Sequence, residues 1–347
     1  MYPSLDSMAQ QANAQDQYDL FKPRIAVIGV GGGGNNTVHR LSTMDIKGAG
    51  LYAFNTDQKQ LNMLNANIKR VMLGKSLTHG LGAGGFPEIG EKAAELSRNE
   101  IELLIRDNNL VFLTAGMGGG TGTGAAPVVA QISKEAGAIV VGVVTIPFSL
   151  ERVRLETAKK GIDKLRQTVD TLIVIDNQKL VSLYPNLPIE QTFKLADEIT
   201  SKAVRGITEA ITQPSLINLD FADVRTVMSS GGLAMISVGE ASGHDRAEHV
   251  VIETLKNKLL DVDYRGATGV MLHITGGTDM TLGEANQIAT KLTESVSANA
   301  NVTWGARLDP AYEGKVEVIA IFAGVTGSSV LGHEKENKNA GLGLDML

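Results

Sequence analysis

The run Gly118-Gly119-Gly120-Thr121-Gly122-Thr123-Gly124 packs five glycines and two hydroxyls into seven residues, between an apolar run at 110–115 and a helical pattern at 125–136. These residue types can wrap an anion. Glycine lets backbone amides approach a phosphate with no Cβ in the way. The first turn of the following helix adds unpaired N–H groups and the positive end of the helix dipole. A P-loop would continue with Lys and then Ser or Thr; Ala125-Ala126 stand there instead, so the Walker chemistry is absent.

Two more glycine-rich loops share this character. The first follows the strand pattern at 24–30, where Gly29, Gly31 and Gly34 keep G-x-G-x-x-G spacing and Gly32, Gly33, Asn35 and Asn36 fill in the turn. With Asp57 at the end of the next strand pattern, that segment alone supports a nicotinamide-dependent enzyme as a rival reading. Gly80 to Pro87, containing Ala83 and Gly84, is the third loop. One dinucleotide pyrophosphate needs a single glycine loop, whereas several converging on one site suit a nucleoside triphosphate held by backbone amides. Far along the chain, Asp220 and Asp223 stand three apart at the start of a helical pattern, where they share a side and can orient or deprotonate water.

Positioning these groups falls to an alternation of strand and helix patterns. Strands are expected at 24–30, 50–54, 69–73, 110–115, 138–145 and 171–175, which predicts an α/β fold with a doubly wound parallel sheet and ligands at the carboxyl ends of its strands. Residues 188–213 read as one long central helix, with apolar positions at Phe193, Leu195, Ile199, Ala203, Ile207 and Ile211 and a stop before Pro214. A second, smaller α/β unit follows, with strands at 234–239, 269–275, 302–307 and 316–322. The expected division is a flexible extension at 1–22, a first domain at 23–187, the central helix at 188–213, a second domain at 214–325 and a flexible tail at 326–347.

Composition narrows the partners. With 43% apolar residues over 347 positions the chain can bury sizeable cores. A net charge of −6 with dispersed basic residues leaves no footprint for nucleic acid. The absence of cysteine excludes disulfides and thiolate metal sites and fits a reducing cytoplasm. The six histidines lack metal-ligand spacing, and residues 1–22 lack the apolar core of a signal peptide or membrane span.

From residue 24 to 327 the chain resembles the FtsZ branch of the tubulin superfamily. Gly118 to Gly124 reproduces that superfamily's G-G-G-T-G-T-G signature, and Asn218-Leu219-Asp220-Phe221-Ala222-Asp223-Val224 is similar to the FtsZ N-x-D-F-A-D-V segment. The stretches 308–314 and 187–189 are more similar to archaeal than to bacterial members. The resemblance implies a tubulin-like GTPase domain, a central helix and a second domain. It implies GTP binding by Gly32, Gly33, Gly34, Asn35 and Asn36, with Ala83 and Gly84 near the γ-phosphate. Gly118, Gly119, Gly120, Thr121, Gly122, Thr123 and Gly124 would hold the remaining phosphates, Glu151 the ribose, and Asn177, Phe193 and Asp197 the guanine. Phe193 and Asp197, four apart on one helix, share a face on which a ring stacks on the base and a carboxylate accepts from guanine N1–H and N2–H₂. Where the family has Arg four residues after the ribose-contacting Glu, this chain has Leu155, with Arg154 adjacent.

Further expectations follow from the same resemblance. Asn218, Asp220 and Asp223 would act in trans, completing the site of the next subunit in a head-to-tail homopolymer. Mg²⁺ would bridge phosphate oxygens without dedicated side-chain ligands, and monovalent-cation dependence stays open. The protein would concentrate at the mid-cell division site in the cytoplasm, with no direct membrane insertion. The apolar end of the tail, 340–347, would recruit a membrane adaptor, SepF-like or otherwise. A shape-determining filament with slow hydrolysis is the alternative to a division ring.

Overall fold

In the computed structural model the described residues are 23–44, 46–213, 215–229, 232–256, 262–294 and 296–325, without the side chains of residues 189 and 193. The extension and tail expected at 1–22 and 326–347 lie outside them. In chain order the strands are β1 (Ile25–Val30), β2 (Ala49–Asn55), β3 (Lys69–Met72), β4 (Leu110–Gly116), β5 (Ile139–Ile146), β6 (Thr171–Asp176), β7 (Leu233–Ser242), β8 (Gly269–Gly276), β9 (Asn301–Leu308) and β10 (Lys315–Ala323). The helices are α1 (Gly31–Thr43), α2 (Gln58–Asn62), α3 (Lys75–Thr78), α4 (Pro87–Leu96), α5 (Arg98–Ile105), α6 (Thr121–Glu135), α7 (Arg152–Thr168), α8 (Asn177–Leu183), α9 (Ile189–Thr212), α10 (Phe221–Ser229), α11 (Arg246–Lys256) and α12 (Leu282–Thr293).

All ten strands join one sheet in the order β3-β2-β1-β4-β5-β6-β7-β10-β8-β9. The first six run parallel, and β1 pairs with both β2 and β4, so the strand order reverses there. Such a switch point opens a crevice at the carboxyl rim. Toward the second half the sheet narrows to a two-residue seam, Leu172 opposite Leu233 and Ile173 opposite Ala234. Beyond the seam, β10 runs antiparallel between β7 and β8, and β8 pairs in parallel with β9.

The continuous apolar strands are explained by burial on both faces. Along β1, Ala26, Ile28 and Val30 enter one core while Ile25 and Val27 enter the other. Helix α9 covers the second face with Ala196, Ala203, Val204, Ile207 and Ala210, all buried. Each large apolar side chain buried in this way contributes about 1.5–3 kcal/mol.

Three polar contacts set the direction of α9. Ser201 donates to the Thr37 carbonyl at 3.3 Å, and Arg40 pairs with Glu198 at 2.9 Å. At its last residue, Thr212 donates to the Lys47 carbonyl just ahead of β2, at 3.4 Å. The helix therefore starts near the carboxyl rim of the parallel sheet and ends at the amino rim. Its 24 residues span roughly 36 Å at about 1.5 Å per residue.

The sequence pattern places the helix after the glycine signature at 125–136. It begins four residues earlier, at Thr121. Helix α1 likewise begins inside its glycine run, at Gly31. Part of each glycine loop is thus the first turn of a helix, held there by tertiary packing that glycine alone permits.

Candidate nucleotide cleft

A cavity of about 480 Å³ opens at the carboxyl rim, where β1, β2, β4, β5 and β6 all end. Its floor is backbone. Gly32, Gly33 and Asn36 come from the first turns of α1, and Gly119, Gly120, Thr121 and Gly122 from the entry to α6. Ala83 and Gly84, flanked by Leu81, Gly82 and Gly85, close one side. Two helix N-termini pointing into one cleft supply amide donors and positive dipole ends for an anion.

Several residues of the glycine motifs face elsewhere. A Cβ on Gly34 would lie 2.1 Å from the Thr114 carbonyl oxygen, and one on Gly124 would lie 1.8 Å from that of Pro87. Both glycines allow close packing of helix on strand or helix on helix. Thr123 is 3% exposed and its Oγ1 accepts from the Gly118 amide at 2.8 Å, so this pair braces the loop from behind. None of Gly34, Gly118, Thr123 and Gly124 lines the cavity. Asn35 does not line it either; it is 2% exposed, and neither of its amide atoms has a hydrogen-bond partner.

The opposite end carries side chains. Glu151 accepts from the Arg154 guanidinium at 2.5 Å and from the Phe148 amide at 3.2 Å, and both Glu151 and Arg154 line the cleft. Leu155 turns away and packs on the core. Asn177, also lining the cleft, is buried, and its Oδ1 has no partner. Asp197 reaches the cavity from α9; burial raises its pKa to about 6, opposed by the charge of Arg40 and a hydrogen bond from Thr37. Phe193 lies one helical turn before it, with its side chain outside the described residues.

The sequence reading passed over a group at the end of β2. Asn55 is 2% exposed, accepts from the amides of Thr56 and Asp57, and donates to Gln60 at 3.0 Å. Asn55, Asp57 and Gln60 all line the cleft. Asp57, weighed above as a dinucleotide acid, caps α2 by accepting from the Gln60 amide at 3.1 Å. The signal that could have found Asn55 is its position at the end of a parallel strand beside the switch point. Thr56 and Thr121 share a hydroxyl hydrogen bond at 2.6 Å, tying this corner to the glycine signature.

Asn218, Asp220 and Asp223 lie apart from the cleft. All three are exposed, Asn218 and Asp220 on the segment leading into α10 and Asp223 in its first turn. The Asp220 carbonyl accepts from the amides of Asp223 and Val224, and its carboxylate accepts from the Ala222 amide at 3.2 Å, so Asp220 caps the helix. At the other end of α10 the Met228 carbonyl accepts from Thr171, the first residue of β6. From Asp197 to Thr212 along α9 is already roughly 22 Å at about 1.5 Å per residue, and Ile217, three residues before Asp220, pairs with Ala306 beside Arg307, which bonds Glu209 in the last turns of that helix. Among the described residues no group of three or more His, Cys, Asp or Glu side chains is arranged to hold a metal ion.

Comparison with known proteins matches residues 24–185 to the GTPase domain of the Tubulin/FtsZ family and residues 232–326 to the C-terminal domain of the FtsZ family. The chain is 55% identical over 337 residues to Cell division protein FtsZ 2 of Methanocaldococcus jannaschii, covering 96% of this chain and 88% of that protein. It is 52% identical over 323 residues to Cell division protein FtsZ 2 of Haloferax volcanii, covering 93% and 80%. Among solved structures, an empty FtsZ dimer from M. jannaschii superimposes with a TM-score of 0.86 at 47% identity, covering 91% of this chain and 92% of that one. A GTPγS-bound protofilament of CetZ2 from Haloferax volcanii shares the fold, with a TM-score of 0.76 at 20% identity, covering 89% and 96%.

Proposed function

The chain belongs to the FtsZ branch of the tubulin/FtsZ family, and from that premise we propose that it is a GTPase that polymerises head to tail into the filaments of the cell-division ring. It hydrolyses GTP to GDP and phosphate. Self-association is supported by the dimer and protofilament among its structural neighbours.

The observation that carries this reading is the separation of two half-sites on one chain. The glycine-lined cleft lies at the carboxyl rim, and the exposed Asp220 and Asp223 follow a loop that pairs with Ala306, next to the Arg307 that bonds Glu209 near the other end of α9. A chain cannot fold its own acids onto its own cleft, whereas a translated copy can. Such a contact is heterologous and does not close, so it grows into a filament.

The cleft's chemistry fits a guanine nucleotide. The amides of Gly32, Gly33, Gly119, Gly120, Thr121 and Gly122 hold phosphate oxygens, with Ala83 and Gly84 at the γ-phosphate. Glu151 holds the ribose, and Arg154 takes the place of the arginine missing at Leu155. The orphaned Oδ1 of Asn177 and the carboxylate of Asp197 accept from the guanine N–H groups. Phe193 stacks on the base. Gly34, Gly118, Thr123 and Gly124 support the loops rather than touch the nucleotide.

Hydrolysis proceeds by positioning and charge stabilisation. Asp220 and Asp223 of the next copy orient the attacking water and accept its proton, and Asn218 assists from the same segment. Mg²⁺, when bound, neutralises charge on the phosphate oxygens; Asp57 is the carboxylate of the β2 corner available to a cation's water shell.

In this reading residues 23–187 are the GTP-binding domain, 188–213 the connecting helix and 214–325 the domain that delivers the acids. The protein works in the cytoplasm at the division site. Residues 326–347 recruit the membrane adaptor, of SepF-like type. The test is light scattering after addition of GTP or GDP, with phosphate release followed in parallel. Assembly with GTP alone, and release that tracks assembly, is expected; assembly indifferent to nucleotide would refute it.

A further inference from the structure

The loop that carries the acids is not held by the GTPase half alone. Ile217 and Ala306 of β9 exchange both backbone hydrogen bonds, each at 3.1 Å, which makes the loop a one-residue extension of the sheet's edge. Beside this pair, a Cβ on Gly305 would lie 2.9 Å from Leu219 Cγ and 3.1 Å from the Ile217 carbonyl oxygen. Leu219, 4% exposed, is the buried anchor between Asn218 and Asp220.

The next residue of β9 secures the other approach. Arg307 donates to Glu209 of α9 at 2.6 Å and to Asp309 at 2.5 Å. Glu209 also accepts from Arg205 at 2.8 Å and is 6% exposed. The end of α9, from which the loop departs, is therefore clamped to the strand that the loop pairs with. A buried carboxylate held by two guanidiniums resists displacement, because leaving either one costs a charge-assisted hydrogen bond in a desolvated place.

We propose that β9 is the positioning element for the acids that complete the neighbouring copy's cleft, with Gly305 and Arg307 as its positioning residues. Gly305 sets how closely Leu219 approaches the strand, and that approach sets the direction of the Asp220 carboxylate. Arg307 sets the height of the loop by fixing the last turns of α9. The inference rests on the reading that Asp220 acts on the nucleotide of another copy.

The experiment measures GTP turnover by full-length protein at saturating protein and GTP, together with assembly by light scattering and the thermal midpoint. Gly305→Ala should lower kcat about tenfold, as expected for a small misplacement of a catalytic group, and leave KM and assembly unchanged. Adding Leu219→Ala removes the nearest clashing atoms and leaves the 3.1 Å approach to the Ile217 carbonyl, so Gly305→Ala should cost less turnover in the Leu219→Ala background than in wild type; a structural defect elsewhere would cost the same in both. Should Gly305→Ala fail to fold, Arg307→Lys carries the test. Lys keeps the charge but cannot fork between Glu209 and Asp309, and the same loss of kcat at constant KM is expected. Wild-type kcat in the variant tested, or no relief by Leu219→Ala, overturns the proposal. Asp220→Ala serves as the control: if it retains turnover, the trans reading fails; if it loses turnover while the β9 variants keep theirs, only the role of β9 fails.

Discussion

Asp197 and Thr212 stand on one helix, the first with its carboxyl in the glycine-lined cleft and the second bonded to the Lys47 carbonyl at the opposite rim of the sheet. In the proposed reading, this helix keeps the nucleotide half-site apart from the acidic one. From this geometry follows the expectation for Asp220→Ala. Equilibrium binding of GTP should stay within about twofold of wild type, while turnover falls by about 10²–10⁴, the contribution of a positioned base. Specific activity of the wild type should rise steeply with protein concentration. Loss of nucleotide binding by the variant would show that Asp220 serves its own chain.

The proposed contact of Asp197 with the base should make binding depend on pH. Its pKa rises from 3.8 to about 6 because burial disfavours the charged form. To accept from both guanine N–H groups the carboxylate must be deprotonated, so binding expels the proton below pH 6. Affinity for GTP should be constant above that value and fall about tenfold per unit below it. Asp197→Asn should bind more weakly and lose this component, which isolates it from titration of the phosphates themselves. An identical pH profile for Asp197→Asn in calorimetric titrations would remove Asp197 from base recognition.

Arg154 and Leu155 make a matched pair. Arg154→Ala should weaken GTP binding about three- to tenfold, a modest loss because the guanidinium is exposed and its pair with Glu151 is screened. Restoring the family pattern with Leu155→Arg should not compensate. Leu155 packs on the core, so the new charge costs stability and points away from the nucleotide. Fluorescent-nucleotide displacement and thermal melting of the double variant separate the two effects.

Glycines of the signature should fall into two classes. Gly124→Ala forces a methyl into the Pro87 carbonyl and should destabilise the fold by about 3 kcal/mol or more, visible as a lowered thermal midpoint. At Gly119 a Cβ meets nothing within 4 Å, so Gly119→Ala should melt like wild type. Its methyl projects where the cleft is lined, and weakened GTP binding is the expected defect. Equal melting of the two variants would contradict the packing role of Gly124.

Much of this was legible in the chain because its information is local. Strands buried on both faces must be continuously apolar, as β1, β4, β5 and β6 are, whereas β3 and β9 at the sheet's two edges are mixed in composition. The three glycine-rich loops and the remote Asp220/Asp223 pair were equally readable as residue types that approach anions or handle water. Which glycine meets the nucleotide was not legible. That depends on the azimuth of each residue about its helix, and the azimuth was undefined until packing started α6 at Thr121 and α1 at Gly31. Thr123, Gly124 and Gly34 turned to neighbouring backbone for this reason, and Arg154 rather than Leu155 came to face the cleft. Asn55 was missed because its residue type does not mark it; only its place at the carboxyl end of β2, beside β1 and β4, makes it part of a site. Residue types and their spacing were enough for the elements, for glycine-rich loops suited to an anion and for the remote acids. That the loop carrying those acids leaves α9 at the end away from the cleft and pairs there with Ala306 is a tertiary fact, because such spacing follows from the rise of a helix and the pairing of strands and not from residue type.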